Sequence, residues 1–438
     1  MLPMRIFCFL LFCLPIFQVL QLGETRDPII VSSFVFMIIL FSYCLFVINI
    51  RGGSFFKVYF VFCYLFLGII PLIEYRLEIV YWTARPLSDE AYLITNIMLI
   101  ASTVIFLLSY LLTRNSKVNK YEKISTSSYS YKYELTLVHQ ALILTISAVC
   151  FFALLKINNF SMLSLMLRGG EFKYMTDIPR WQNTLIGTIA RFVPIISFGY
   201  CLLRVRGRLL FKSLLLIVAI MCASPLGIAR FMVATLYLPL IFILFPKIIS
   251  GNKFPFLLLS AIFFVFPFLE KFRSFDKTDE FNFIPNFDFF LHGHFDSYQS
   301  IVRVIDESFV TYGEQLLGAI LFFIPRFLWF DKPIGTGAQL AQDLNYDFTN
   351  ISANIYAEGY ANFGLIGFLL FALFLGFIFS KADYWFEYIP DKKPITIYLY
   401  YLMLGFLTMV LRGDLMTAIS TSVGLFFCIL LIKKLYPA

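Results

Sequence analysis

Charge is what this sequence has least of. Asp, Glu, Lys and Arg make up 14% of its 438 residues and His occurs 3 times, whereas about a quarter of an average soluble protein is charged. That poverty excludes a soluble enzyme, and it excludes a nucleic-acid binder, which needs a solvated basic face. No Gly-rich phosphate loop followed by Lys occurs, so nucleotide-sugar or ATP use is not expected. The 8 Cys (8, 13, 44, 63, 150, 201, 222 and 428) all fall inside apolar runs, which reads as soft packing rather than a secreted disulfide scaffold or a metal centre. The first run has a basic start but no A-x-A cleavage site and continues through Gln18 and Gln21, so a retained helix is expected.

What replaces charge is long apolar sequence. Hydrophobic residues make up 60% of the chain and the mean hydropathy is +0.82. A hydrocarbon core about 30 Å thick takes roughly 20 apolar residues per helix, so the sequence can supply about twelve spans (11–14). The runs are long and nearly uncharged, unlike the ten-residue alternation of a membrane barrel. The expected architecture is one all-α, polytopic integral membrane domain over 1–438. Its helices are expected near 4–22, 28–50, 56–73, 91–112, 136–155, 184–203, 211–227, 231–248, 255–271, 361–380, 394–411 and 415–432.

The connecting segments orient these helices. With both termini cytoplasmic, the inner side holds 19 of the 35 Lys and Arg but 5 of the 27 Asp and Glu, as the positive-inside rule requires. Inner cations are mostly Lys, in stretches such as Arg51–Lys57, Arg114–Lys132 and Lys381–Lys393, whereas outer ones are mostly Arg. Topology needs only charge, while phosphate recognition favours the planar guanidinium, so the outer face reads as a receptor for an anion. The competing explanation is that these arginines pair with the outer carboxylates.

Two outer segments are long. One covers 157–183 and contains Arg168 and Arg180; the other covers 272–360, and connections of that size are usually functional. Within the second, Leu316–Phe330 is apolar but too short to span and reads as a re-entrant or interfacial helix. The four Trp (82, 181, 329 and 385) sit at span ends, the usual aromatic belt. Ionisable residues in or beside spans carry the most weight, because a charge at mid-bilayer costs at least about 2.5–3.5 kcal/mol. Arg230 ends the helix-breaking turn Ser224-Pro225-Leu226-Gly227-Ile228-Ala229, Arg191 lies inside a run, and Arg412-Gly413-Asp414 separates the last two runs.

Several of these features, in this order, resemble Wzy, the bacterial O-antigen or repeat-unit polysaccharide polymerases. Ile324-Pro325-Arg326-Phe327-Leu328-Trp329-Phe330-Asp331-Lys332-Pro333 is similar to that family's IPR-x-LWP-x-KP segment. The Gly227-x-x-Arg230 turn, Lys271-Phe272-Arg273, His294-Phe295-Asp296, Ala357-Glu358 through Gly364 opening the next span, and Arg412-Gly413-Asp414 accompany it. The resemblance covers about 160–425; the earlier helices match only in hydropathy. It implies a GT-C-like membrane glycosyltransferase at the outer face of the bacterial inner membrane. The growing glycan would be moved from undecaprenyl pyrophosphate to a hydroxyl of the next lipid-linked repeat unit, with inversion and without metal or other cofactor. Donor and acceptor lipids, membrane lipid and a chain-length regulator protein are the implied partners, and nucleic acid is not. The early Asp-x-Asp or Glu-x-Asp motif of many metal-dependent polyprenyl-linked glycosyltransferases is missing.

Pyrophosphate is an activated leaving group, so such a site mainly needs cations where negative charge develops. Arg230, Arg273, Arg412 and Arg326 are the expected pyrophosphate ligands; Arg191, Arg168 and His294 are expected to contact substrate. Glu358, Asp296 and Asp414 are the candidate catalytic carboxylates, with Glu358 the leading base for the acceptor hydroxyl if burial raises its proton affinity; its alternative role is a helix-end charge. His292-Gly293-His294 lacks the further ligands of a metal site. Two other functions share this chemistry or scale, an O-antigen ligase and a lipid-linked oligosaccharide flippase or transporter, though the latter should show two-half symmetry and no ninety-residue outer segment.

Overall fold

The computed structural model describes residues 2–23, 26–83, 85–118, 134–167, 180–271, 287–346, 348–388 and 393–436. A helix covers each of the twelve apolar runs, and no β-strand forms among the described residues. Among the described residues, eight helices are long and apolar enough to cross a membrane: Pro28–Phe46, Phe55–Arg76, Asp89–Arg114, Leu137–Ile157, Ile186–Arg204, Ile355–Tyr388, Pro394–Arg412 and Leu415–Leu435. Four are shorter: Pro3–Val19, Leu209–Cys222, Arg230–Leu244 and Lys253–Phe268. Leu209–Cys222 has 14 residues, about 21 Å at 1.5 Å per residue, because the break around Pro225 and Gly227 ends it early. The chain is a multi-pass membrane protein.

Phe55–Arg76 runs through the middle of the bundle, buried along nearly its whole length and packed by Pro28–Phe46, Ile355–Tyr388 and Pro394–Arg412. Its first backbone N–H groups have no partner within the helix. Asp383, far away in sequence, supplies one: its carboxylate accepts from Phe55 N (2.9 Å) and Phe56 N (3.2 Å), and from the hydroxyls of Tyr110 (2.7 Å) and Tyr400 (2.7 Å). The Arg51–Lys57 stretch, expected as a short basic loop, is instead a buried junction at its C-terminal end. Lys57 lies inside the helix and its Nζ donates to the carbonyls of Cys44 (3.3 Å), Leu45 and Ile48 (2.8 Å), closing the end of Pro28–Phe46. Ile355–Tyr388 likewise continues past residue 380, because Ser380 and Asp383 find partners there.

The opposite end of the bundle departs more from expectation. From residue 287 the long connecting segment is folded into the bundle. Ser297–Asp306 is a helix with nearly every residue buried; Tyr298 Oη donates to Asn96 Oδ1 (2.7 Å), Gln299 Nε2 to Glu74 Oε2 (2.9 Å) and Arg303 to the Arg85 carbonyl (2.9 Å). In the apolar Leu316–Phe330 run, helix covers only Glu314–Ile320. The rest is a series of turns stitched by Lys332 Nζ, which donates to the carbonyls of Phe322 (2.6 Å) and Ile324 (2.9 Å), and by Arg326, which donates to those of Lys332 (2.6 Å) and Pro333 (3.0 Å).

A break at Phe363 and Gly364 (φ 62°, ψ −150°) divides Ile355–Tyr388. The piece before it doubles back on the piece after it. Tyr356 stacks on Phe368 at 4.9 Å, and Gly359 faces Gly367 so closely that a Cβ on either would run into the other's backbone. Glu358 therefore sits in its own short helix and is 1% exposed, whereas the sequence placed it at the open end of a continuous span.

Removing the Asp383 carboxylate would orphan two backbone amides and two hydroxyls in a buried setting, each worth about 1–3 kcal/mol. Asp383→Ala is expected to destabilise the fold by at least about 3 kcal/mol, with Asp383→Asn intermediate, read as lowered melting temperature in detergent. Unchanged melting of Asp383→Ala would show that this junction does not hold the bundle.

Candidate functional site

A cavity of about 260 Å³ opens at the end of the bundle where Arg412 and Trp82 lie. Its deep wall is apolar, built by Val58, Val61, Phe62, Leu238, Ile262 and Leu404; its mouth carries Arg230, Arg412, His294, Trp82, Asn350 and Thr408. Arg230 opens one helix and Arg412 closes another, and both reach the same mouth because Arg230–Leu244 and Pro394–Arg412 pack side by side. Gly405 permits that approach, since a Cβ there would meet the Ala234 carbonyl. The turn before Arg230 is pinned by Ser224 Oγ donating to the Met166 carbonyl (2.9 Å) and by Gly227, which lies against the Leu165 and Met166 carbonyls with no room for a side chain. The Arg230 guanidinium stands 4.7 Å from the centre of the Phe289 ring, a cation–π contact. The N-terminus of its own helix adds positive potential at the same place.

Arg412 is held from behind. Its Nη2 donates to Asp296 Oδ1 at 2.9 Å, while Asp296 Oδ2 accepts from Trp82 Nε1 (3.0 Å) and from Ser352 N (3.2 Å). Asp296 is almost fully buried and does not line the cavity; Arg412 does, and its Nε is buried with no hydrogen-bond partner among the described residues. The mouth thus presents two guanidinium groups, one clamped at a single edge with donor capacity left over, above an apolar chamber.

Glu358 and Asp414 form a separate cluster. Glu358 accepts from Thr336 Oγ1 (2.7 Å) and from Leu415 N (2.9 Å). Asp414 caps Leu415–Leu435, accepting from Met416 N (2.9 Å) and Thr417 N (3.2 Å). Burial raises the Asp414 carboxyl above the usual range, and hydrogen bonds from backbone N–H groups partly offset the rise. Gly335, at φ 104°, lets the chain pass directly against this carboxylate. Neither acid lines the cavity; together they join the start of the last helix to the Thr336–Asp343 helix and to the short helix before the Gly364 break.

Of the residues singled out in the sequence, then, Arg230, Arg412 and His294 meet at the cavity, with Asp296 directly behind. Arg326 is spent on carbonyls in its own turn, and Arg191 is half-buried within its helix away from the cavity lining, its Nε buried without a hydrogen-bond partner among the described residues. Arg168 and Arg273 lie outside the described residues. Most other arginines expected on this side answer to carboxylates or carbonyls: Arg26 to Glu78, Arg85 to Glu307, Arg303 to Asp306 and Glu307, and Arg76 to the Leu20 and Leu22 carbonyls. Excess Arg on one face therefore does not single out the cavity residues; position at a helix end, as for Arg230 and Arg412, does. Sequence reasoning missed Trp82, Asn350 and Phe289, which meet at the cavity through contacts between stretches distant in sequence and leave no local pattern. Among the described residues no three His, Cys, Asp or Glu side chains gather as a metal would require.

A charge-assisted pair as enclosed as Asp296 and Arg412 should show coupling. In a double-mutant cycle of Asp296→Ala and Arg412→Ala, the two losses of thermal stability are expected to fall short of additive by about 1–3 kcal/mol. Strict additivity would mean that the pair is incidental.

No curated protein and no solved structure matches the chain. The family model for O-antigen polysaccharide polymerase Wzy matches residues 4–437, nearly the whole sequence, including the early helices in which only hydropathy was readable. The chain belongs to the Wzy family of O-antigen polysaccharide polymerases.

Proposed function

We propose that the chain polymerises O-antigen or related surface-polysaccharide repeat units carried on undecaprenyl pyrophosphate, and that the cavity under Arg230 and Arg412 is where the carrier of the growing glycan sits. The observation that carries this reading is the pairing of two guanidinium groups at the mouth with an apolar chamber below them. A polyprenyl pyrophosphate has the same division, with an anionic head and a hydrocarbon tail. In the transfer, the bond between the anomeric carbon and the pyrophosphate oxygen breaks as an acceptor hydroxyl oxygen bonds to that carbon from the opposite face, which inverts it. The electron pair of the broken bond goes to the pyrophosphate, where the two arginines meet the growing charge. Arginine keeps its proton in a wet mouth and offers two parallel donors to phosphate, so this mechanism asks for no metal.

The acceptor hydroxyl must lose a proton. His294 lines the cavity and its imidazole carries a nitrogen that can accept a proton, and we assign it the role of base. Asp296 acts through Arg412 as a positioning residue. Glu358 and Asp414, each already accepting two hydrogen bonds remote from the mouth, are assigned to holding the last helix, in place of the catalytic role that the sequence suggested for them.

The orientation that goes with this function has both termini in the cytoplasm and the Arg412 end facing the periplasm of the bacterial inner membrane. The four shorter apolar helices complete about twelve crossings with help from neighbouring polar ends, and a chain-length regulator would meet the protein on its periplasmic side. Alkaline phosphatase fused after Phe287 is expected to be active and fused after Lys120 inactive; the opposite pattern would invert the scheme.

The direct test is polymer formation by purified protein given one lipid-linked repeat unit, where a ladder of products marks a polymerase and a single transfer marks a ligase. Loss of one charge-assisted contact of about 1.5–3 kcal/mol corresponds to roughly a 10- to 100-fold fall in rate. Arg230→Ala and Arg412→Ala are expected to fall by that much with Lys variants recovering part of it, and His294→Gln to lower turnover with donor binding kept. Wild-type polymer from all three would remove the cavity from the reaction.

A further inference from the structure

Trp82 lies in the connection between Phe55–Arg76 and Asp89–Val118, where the sequence suggests only an aromatic-belt residue. Its backbone is at φ 65°, in the left-handed region that bulky side chains rarely enter. Such strain persists only where the surroundings impose it, and it concentrates at ligand sites. Here the surroundings are specific. The indole N–H donates to buried Asp296 (3.0 Å), the preceding Tyr81 N donates to Gln299 Oε1 (2.9 Å), and Gly293 lies against the six-membered ring so closely that any Cβ would collide with it.

The ring is thus fixed in plane, yet it is not covered. Trp82 remains 37% exposed and Phe348, whose ring centre is 5.1 Å away with the planes 32° apart, remains 44% exposed. Both line the cavity mouth beside Arg412, His294 and Asn350. A belt tryptophan turns its N–H to interfacial water and its ring to lipid; this one turns its N–H inward to a carboxylate and its ring to a polar-rimmed opening. Fixed aromatic faces with charged and amide groups at their edge complement a pyranose, which has an apolar C–H face and hydroxyls around its rim.

We propose that Trp82 and Phe348 form a sugar-binding subsite that holds a pyranose ring of the repeat-unit glycan over the cavity, next to the pyrophosphate at Arg412. The proposal rests on the polymerase reading above and deepens it.

Two measurements test it. In a variant with Trp181, Trp329 and Trp385 changed to Phe, Trp82 is the sole indole reporter. Titration with the soluble oligosaccharide repeat unit released from the host's own surface polysaccharide should change its emission saturably, and inorganic pyrophosphate alone should not reproduce that change. In the polymerisation assay, Trp82→Leu and Phe348→Ala should raise the half-saturating concentration of lipid-linked repeat unit about tenfold, the scale of one aromatic stacking contact. Trp82→Phe, which keeps a ring but drops the N–H to Asp296, should lie between them and the wild type. Phe348→Ala guards against a folding artefact, because Phe348 is exposed and its loss should leave the melting temperature unchanged. Polymer formation by both variants at wild-type half-saturation, or no emission change with the oligosaccharide, overturns the subsite and leaves the polymerase reading standing. Absence of polymer from the wild-type protein overturns the polymerase reading and the subsite with it.

Discussion

The mouth of the cavity depends on one buried carboxylate. Asp296 joins Trp82 from the connection after the central helix, Arg412 from the end of the next-to-last helix and Ser352 from the approach to the short helix before Gly364. Three stretches of chain far apart in sequence meet on two oxygen atoms. A carboxylate can do this because it accepts on both oxygens and carries charge that strengthens each bond. The arrangement also answers the demand of burial, since an unpaired carboxylate there would be costly. What results is an arginine fixed in direction by a partner that stays out of the cavity.

The same rule governs the rest of the bundle: in an apolar solvent every polar group must find its partner inside the protein. Asp383 ends the central helix at one pole, Lys57 closes the neighbouring helix beside it, and Asp414 opens the last helix at the other pole. In each case a charge is placed on orphan backbone groups, anions on N–H groups and a cation on carbonyls, the sense that the helix dipole favours. Each of these charges is engaged by backbone groups. The distinction matters for reading a membrane protein's ionisable residues, because cost alone does not separate a catalytic group from a cap; the number of donors or acceptors left over after the protein has used them does.

That criterion explains what the sequence could and could not say. Helix positions were legible because an apolar run of sufficient length has few other outcomes in a bilayer. Arg230 was legible because Pro225 and Gly227 mark a broken turn, and Arg412 because Gly413 and Asp414 mark a helix end. The converging of these two on one cavity was not, since it depends on Gly405 letting two helices approach. Glu358 looked like a helix-end acid because hydropathy runs unbroken through Phe363 and Gly364, and nothing in that run announces a reversal at Gly364. Ser297–Asp306 looked like part of a solvated loop because its mix of Tyr, Gln, Ser and Arg is polar on average, although each of Tyr298, Gln299 and Arg303 meets a partner on another element.

The folded-in segment changes how the polar and apolar halves of the site relate. Had residues 287–360 been a mobile cover, the cavity would be closed only when substrate arrived, and His294 and Asn350 would be placed by that event. In the folded protein the Ser297–Asp306 helix is keyed into the bundle through Asn96, Glu74 and the Arg85 carbonyl, so His294, one turn upstream, is carried on a rigid support. Preorganisation of this kind is what electrostatic catalysis requires, because dipoles and charges that need not rearrange during the reaction stabilise developing charge most effectively. The apolar chamber below gains from the same rigidity: its walls come from helices packed by glycine contact, so under the proposed reading an anionic head would meet cations already in place and its hydrocarbon a chamber already formed.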